Sequence, residues 1–271
     1  MNHLQIFLLG CVFLQIAYSQ DAKPPIENTD SRIINGNLAT PGQFPWQAAL
    51  FFQGGPDSKF WFCSGTIISP DWILTAAHCA NEADSVLIYT AIIDISAEVE
   101  PTAIENKFII HENFSPDSLA NDIALIRLTN SLTFDDGVRS ISLSSEEVKE
   151  SVTVTISGWG KTRANDSSIS PLLNYVNLVT ISNEECQKAY GDSELILPEM
   201  VCAATNPAPV QTPCNGDSGG PVVVDFDTDN PRHVAVISFV SDTGCESGLP
   251  SGYTRTASFL DWIKEKTKIT A

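Results

Sequence analysis

Cys214-Asn215-Gly216-Asp217-Ser218-Gly219-Gly220-Pro221 is the stretch on which the reading of this chain turns. One serine stands among three glycines, with a carboxylate directly before it. Glycine accepts positive φ and lets other backbone come close, so the run can wind a sharp, tight loop. A serine at the tip of such a loop presents its hydroxyl while backbone N–H groups converge beside it, the geometry an acyl-transfer nucleophile needs. A polar turn between two strands would use the same residue types, so the rest of the chain has to decide.

A serine hydroxyl attacks only when a base takes its proton, and that base must be held in one tautomer by an acid. Two segments offer such partners. Thr75-Ala76-Ala77-His78-Cys79 puts a histidine after small residues and beside a cysteine. Asn121-Asp122-Ile123-Ala124-Leu125-Ile126 puts an acid at the head of an apolar strand, where it is costly unless partnered. His111 and His233 have no such setting and read as ordinary surface histidines.

Together the three segments, in the order His, Asp, Ser, resemble the chymotrypsin family of serine endopeptidases. The likeness runs from Ile33 to the C-terminal end. It implies an all-β fold of two six-stranded antiparallel Greek-key barrels with a C-terminal helix. It also implies that Ser218 is the nucleophile, His78 the general base and then acid, and Asp122 the group that orients the imidazole. The N–H groups of Gly216 and Ser218 would form the oxyanion hole. Arg32-Ile33-Ile34-Asn35-Gly36 resembles the family's activation junction: cleavage after Arg32 would free an Ile33 amine to pair with Asp217. The substrate pocket would be set by Thr212 at its base and Val240 and Ser251 on its walls, with Ser238 pairing its backbone with the substrate. Without an acid at Thr212 a buried Lys or Arg would be unpaired, and branched Val240 narrows the slot. The resemblance therefore implies cleavage after small or medium apolar residues; a chymotrypsin-like or broad, collagenolytic-type preference is the alternative, and a non-catalytic binding protein on the same fold is the rival class.

The remaining features fit a secreted enzyme. Residues 1–19 read as a signal peptide whose apolar core is shorter than the about 20 residues a membrane span needs. Residues 20–32 read as an activation segment and 33–271 as the protease domain, with barrel one at about 33–145, barrel two at about 146–257 and a helix at about 258–268, opened by a Ser258/Asp261 capping pair. Beyond Cys11 six cysteines remain, an even number that suggests three disulfides in a secreted chain and leaves fifteen pairings open. The resemblance selects Cys63–Cys79, Cys186–Cys202 and Cys214–Cys245. No Cys-x-x-Cys or histidine cluster suggests zinc, the acids at Asp225–Asp229 read as a solvated turn, and no cofactor or metal is expected. The net charge of −18 argues against nucleic acid or an anionic membrane as partner. The expected partners are protein substrates, a trypsin-like activating protease and protein inhibitors of a monomer. Asn113 and Asn165 head glycosylation sequons.

Overall fold

A computed structural model describes residues 33–55, 59–191, 196–205 and 210–271. The signal, the activation segment and Arg32 lie outside the described residues. The strands are β1 (Asn37–Leu38), β2 (Gln47–Gly54), β3 (Lys59–Ser69), β4 (Trp72–Thr75), β5 (Ala83–Thr90), β6 (Ala103–Glu105), β7 (Phe108–Ile110) and β8 (Ala124–Arg127), then β9 (Ser142–Leu143), β10 (Thr153–Gly158), β11 (Asn174–Ile181), β12 (Met200–Ala204), β13 (Pro221–Val224), β14 (Arg232–Phe239) and β15 (Ser251–Arg255).

The first sheet runs β6-β5-β2-β3-β4-β8-β7. Its two edge strands are consecutive in sequence and separated only by Asn106 and Lys107, so one broken segment serves both edges. In the second sheet β11-β10-β13-β14-β15-β12 closes on itself through the β11–β12 pairing. Closure removes the exposed edges that would otherwise template aggregation. The N-terminal segment crosses over: β1 pairs with β11, and Ile33 is fully buried with Val154, Ile156 and Tyr253 in the second barrel's core.

Alternation of apolar and polar residues built these strands, but several are buried on both faces. In β14 every residue from His233 to Ser238 is buried, because Thr256 and the C-terminal segment cover the outer side. This corrects the surface reading of His233. Its side chain has no exposure, Nδ1 lies 3.0 Å from Thr256 Oγ1, and Nε2 has no partner. His111 is half-buried against the rings of Phe259 and Trp262.

The C-terminal helix forms, yet it starts differently from the sequence expectation. A 3₁₀ turn at Thr256–Phe259 leads into an α-helix at Leu260–Thr267, and no side chain caps its N-terminus. Ser258 lies inside the 3₁₀ turn and cannot take the cap position. The three disulfides are Cys63–Cys79, Cys186–Cys202 and Cys214–Cys245.

Candidate active site

The site lies where the ends of β4, β8, β13 and β14 meet. Thr75 ends β4, and His78 follows in a single helical turn, Ala77–Ala80. Asp122 precedes β8 and is fully buried. His78 donates twice to its carboxylate, from the backbone N to Oδ1 at 2.9 Å and from Nδ1 to Oδ2 at 2.8 Å. Ser238 Oγ adds a third donor to Oδ2 at 2.6 Å, and Thr254 Oγ1 donates to the Asp122 carbonyl at 2.9 Å. Three donors offset the cost of burying a charge. Burial alone would depress the His78 pKa, but the charge and hydrogen bond of Asp122 outweigh it and raise the pKa above 6.5.

The glycine-rich loop is fastened beside this pair from both barrels. Ser64 N, on β3, donates to Ser218 O at 2.8 Å, and Gly219 N donates to Ile237 O at 2.8 Å, one residue before Ser238. Gly219 has φ +79°, and a Cβ there would stand 2.2 Å from Thr75 Oγ1 and 3.1 Å from Ala76 N. The loop that carries Ser218 is thus in contact with the segment that carries His78. Gly216 has φ +104°, a conformation glycine adopts without strain. Among the described residues neither the Gly216 nor the Ser218 N–H donates to a protein acceptor. Two donors on one loop are left for something else.

Asp217 points the other way, into the protein, with no exposure. Its carboxylate accepts from Gly160 N at 2.7 Å and from Cys214 N at 2.8 Å. Burial nevertheless pushes its pKa up to about 7, and among the described residues no cationic side chain contributes to it. Gly158 and Gly160 make the space: a Cβ on either would come within 2.1 or 2.2 Å of a carboxylate oxygen. These two glycines escaped the sequence reading, although Gly158-Trp159-Gly160 at the end of a strand was a visible signal.

Two of the expected pocket positions meet through Ile34. Thr212 is buried and bridges to Ile34, and Val240 packs against Ile34 and the Cys214–Cys245 disulfide. Ser251 Oγ lies 2.5 Å from Tyr253 OH. Tyr190 OH donates to Pro250 O at 2.6 Å, and its ring meets Phe239 edge-on. The ring of Phe239 lies over Gly252, where a Cβ would stand 2.0 Å from it. Ser238, expected to contribute backbone to substrate pairing, also uses its side chain on Asp122. That role, with those of Thr254, Tyr190 and Gly252, depends on contacts between segments far apart in the chain.

The family model described as Trypsin matches residues 33–263. The chain belongs to this family. It is a serine endopeptidase, a hydrolase acting on protein substrates. It is 37% identical over 249 residues to a collagenase of Hypoderma lineatum, covering 90% of each chain. It is 35% identical over 240 residues to brachyurin of Leptuca pugilator, covering 88% of this chain and all of that one. The solved HL collagenase structure matches with a TM-score of 0.75 and 35% identity, over 88% of this chain and 100% of that one. Membership of the trypsin family agrees with the resemblance carried by the three segments and with the barrel architecture.

Proposed function

We propose that this trypsin-family chain is a secreted endopeptidase made as a zymogen, cleaving after small or medium apolar residues through an acyl-enzyme on Ser218. The observation that carries the reading is the buried Asp122–His78 pair with the Ser218 loop fastened against it. His78 takes the Ser218 proton as the hydroxyl attacks the scissile carbonyl, then gives it to the leaving amine. Asp122 holds the imidazole in the tautomer with the proton on Nδ1 and stabilises its cation. The free N–H groups of Gly216 and Ser218 receive the developing oxyanion. Water then repeats the sequence on the acyl-enzyme and releases the acid.

The preference follows from the pocket. Thr212, Val240 and Ser251 present no carboxylate, so a Lys or Arg side chain would enter unpaired. Val240 fills space beside the disulfide, which favours short side chains. A second reading, broad cleavage that reaches collagen, draws on the similarity to the Hypoderma lineatum collagenase. Activation draws on Asp217, a buried carboxylate with two N–H donors and, among the described residues, no cation, and on Ile33, which is fully buried in the second barrel's core. A new Ile33 ammonium would supply the missing charge.

The test is to cut after Arg32 with trypsin, then apply a serine-directed covalent label and a peptide panel varying only the residue before the scissile bond. Labelling of Ser218 and fastest turnover after Ala, Val or Leu are expected. An unlabelled Ser218 would identify a non-catalytic homologue, and fast turnover after Arg or Lys would sink the pocket reading. Cleavage of native triple-helical collagen would establish the second reading.

A further inference from the structure

Ser64 stands where β3 has lost a neighbour. β4 pairs with β3 at Thr66, Ile67 and Ser69, and by Ser64 it has ended. The Ser218 loop of the second sheet fills the open edge. Ser64 is fully buried there, and all three of its polar atoms bond to the catalytic segments. Its N donates to Ser218 O at 2.8 Å. Its carbonyl accepts from Thr75 Oγ1 at 2.9 Å, three residues before His78. Its hydroxyl donates to Gly216 O at 3.4 Å. The two main-chain bonds do not depend on the identity of the side chain. The hydroxyl bond does.

Gly216 is the least constrained point of that loop. Its φ is +104°, and without a Cβ few contacts resist rotation of the peptide groups on either side of it. The preceding peptide group, Asn215–Gly216, carries one of the two unpartnered N–H groups. Turned over, it would present the Asn215 carbonyl oxygen in place of the N–H, and an oxygen repels a developing oxyanion. Hydrogen bonds have to supply the restraint that sterics do not. Lys161 N donates to Asn215 O at 2.9 Å and holds the preceding peptide. The following peptide, Gly216–Asp217, is held at its N–H by Cys214 O, at 3.0 Å, and at its carbonyl by the Ser64 hydroxyl. In this set of restraints on Gly216, Ser64 Oγ is the side-chain member, and it comes from the other sheet.

We infer that Ser64 is a positioning residue for the oxyanion site: its hydroxyl restrains the Gly216–Asp217 peptide and so keeps the Gly216 N–H aimed. The inference rests on the assignment above of Ser218 as nucleophile and of the Gly216 and Ser218 N–H groups as oxyanion donors. At 3.4 Å the bond is long, so its loss misaims a donor and does not remove one. Removing a donor costs about 10²–10³ in kcat, and misaiming it should cost about tenfold.

The test compares the activated enzyme with Ser64→Ala and Ser64→Gly, both of which keep the main-chain bonds of residue 64. Each is given a peptide substrate and two inhibitors of the same sequence. One is a peptide aldehyde, whose carbonyl adds the Ser218 hydroxyl and places its oxygen at the two N–H groups. The other carries CH2–NH in place of the scissile amide and has no carbonyl oxygen to place there. In both variants kcat should fall about tenfold with KM within about twofold of the wild type. The aldehyde should bind about tenfold more weakly, and the reduced peptide as before. Either variant alone decides the matter, so a failure of one to fold leaves the other. A hydroxyl that only supports the fold would lower the melting temperature and leave the ratio of the two inhibitor affinities unchanged, and that result would overturn the inference. A wild type that the aldehyde does not inhibit would instead sink the Ser218 assignment, and the inference with it.

Discussion

Replacing Gly160 with alanine puts a methyl group where the Asp217 carboxylate lies. The new Cβ would stand 2.2 Å from Oδ2 and 2.4 Å from Cγ. Close carbon–oxygen contacts settle near 3.3–3.6 Å, so the carboxylate must retreat by about 1 Å. Gly158 walls the opposite side, since a Cβ there would stand 2.1 Å from Oδ1. The carboxylate therefore leaves the Gly160 and Cys214 N–H groups that now hold it at 2.7 and 2.8 Å. Hydrogen bonds to an ionised group contribute about 1.5–3 kcal/mol each, so the substitution costs about 3–6 kcal/mol. For a domain of this size that lowers the melting temperature by roughly 10 °C. The backbone moves with the side chain, because Asp217 N donates to Cys214 O and Gly220 N to Asp217 O, each at 3.0 Å. Gly216 and Ser218 then lose their aim, and one lost oxyanion donor reduces kcat by about 10²–10³. Calorimetry and turnover per covalently labelled Ser218 measure both effects. Gly137→Ala is the control, with its nearest contact at 3.3 Å from Ala91 Cβ and an ordinary φ, and should shift stability by less than about 1 kcal/mol. Gly160→Ala with kcat within about threefold of the wild type would refute the claim that this buried carboxylate sets the oxyanion loop.

Asp122→Asn removes the charge that raises the His78 pKa and leaves the burial that lowers it. The acidic limb of kcat/KM should therefore shift to lower pH than in the wild type, with kcat down by about 10⁴, the loss the same change causes in the family's type enzyme; an unmoved limb would assign the titration elsewhere. His233 titrates near 6.5 when unfolded and is pushed down to about 3 when folded, so the unfolded chain binds the proton first as pH falls. Stability should drop between pH 6.5 and 3, by about 5 kcal/mol from this residue, and urea unfolding of His233→Leu should show a flatter profile; an unchanged slope refutes it. Val240→Gly should open the pocket and raise kcat/KM after Phe relative to Ala by about 10–100-fold in the peptide panel, and no change would show that another residue limits its depth.

The fold and the site were unequally legible in the sequence. His78, Asp122 and Ser218 stand in short local patterns whose residue types are dictated by the chemistry, so they could be read one segment at a time. So could β3, β10 and β14, from runs of β-branched and aromatic residues. What escaped depends on contacts between distant segments. Ser238 and Asp122 are separated by 116 positions and meet only in the folded chain, at the end of β14 and the residue just before β8. Gly158 and Gly160 matter through a carboxylate 59 and 57 residues further along the chain. His233 was misread because alternation implies one wet face, whereas β14 is covered on both. Ser258 was misread because a 3₁₀ turn begins before it.

Those long-range contacts also explain why the start of the domain should govern catalysis. Ile33 is buried in the second barrel's core, and Ile34 bridges to Thr212, the proposed base of the pocket. Two residues after Thr212, Cys214 N holds Asp217, which precedes Ser218. Raising a carboxylate from 3.8 to about 7 corresponds to about 4 kcal/mol that pairing with a cation would recover. On the proposed reading the Ile33 ammonium recovers it, so the amine matters and not the cut itself. Acetylation can separate the two. Acetylated first and then cut after Arg32, the enzyme has blocked lysines and a free Ile33 amine, and should turn over normally. Cut first and then acetylated, it carries the same lysine chemistry without the ammonium, and should lose most of its activity while Ser218 stays in place. Equal activity in the two orders would show that scission alone is sufficient and that Asp217 needs no cation.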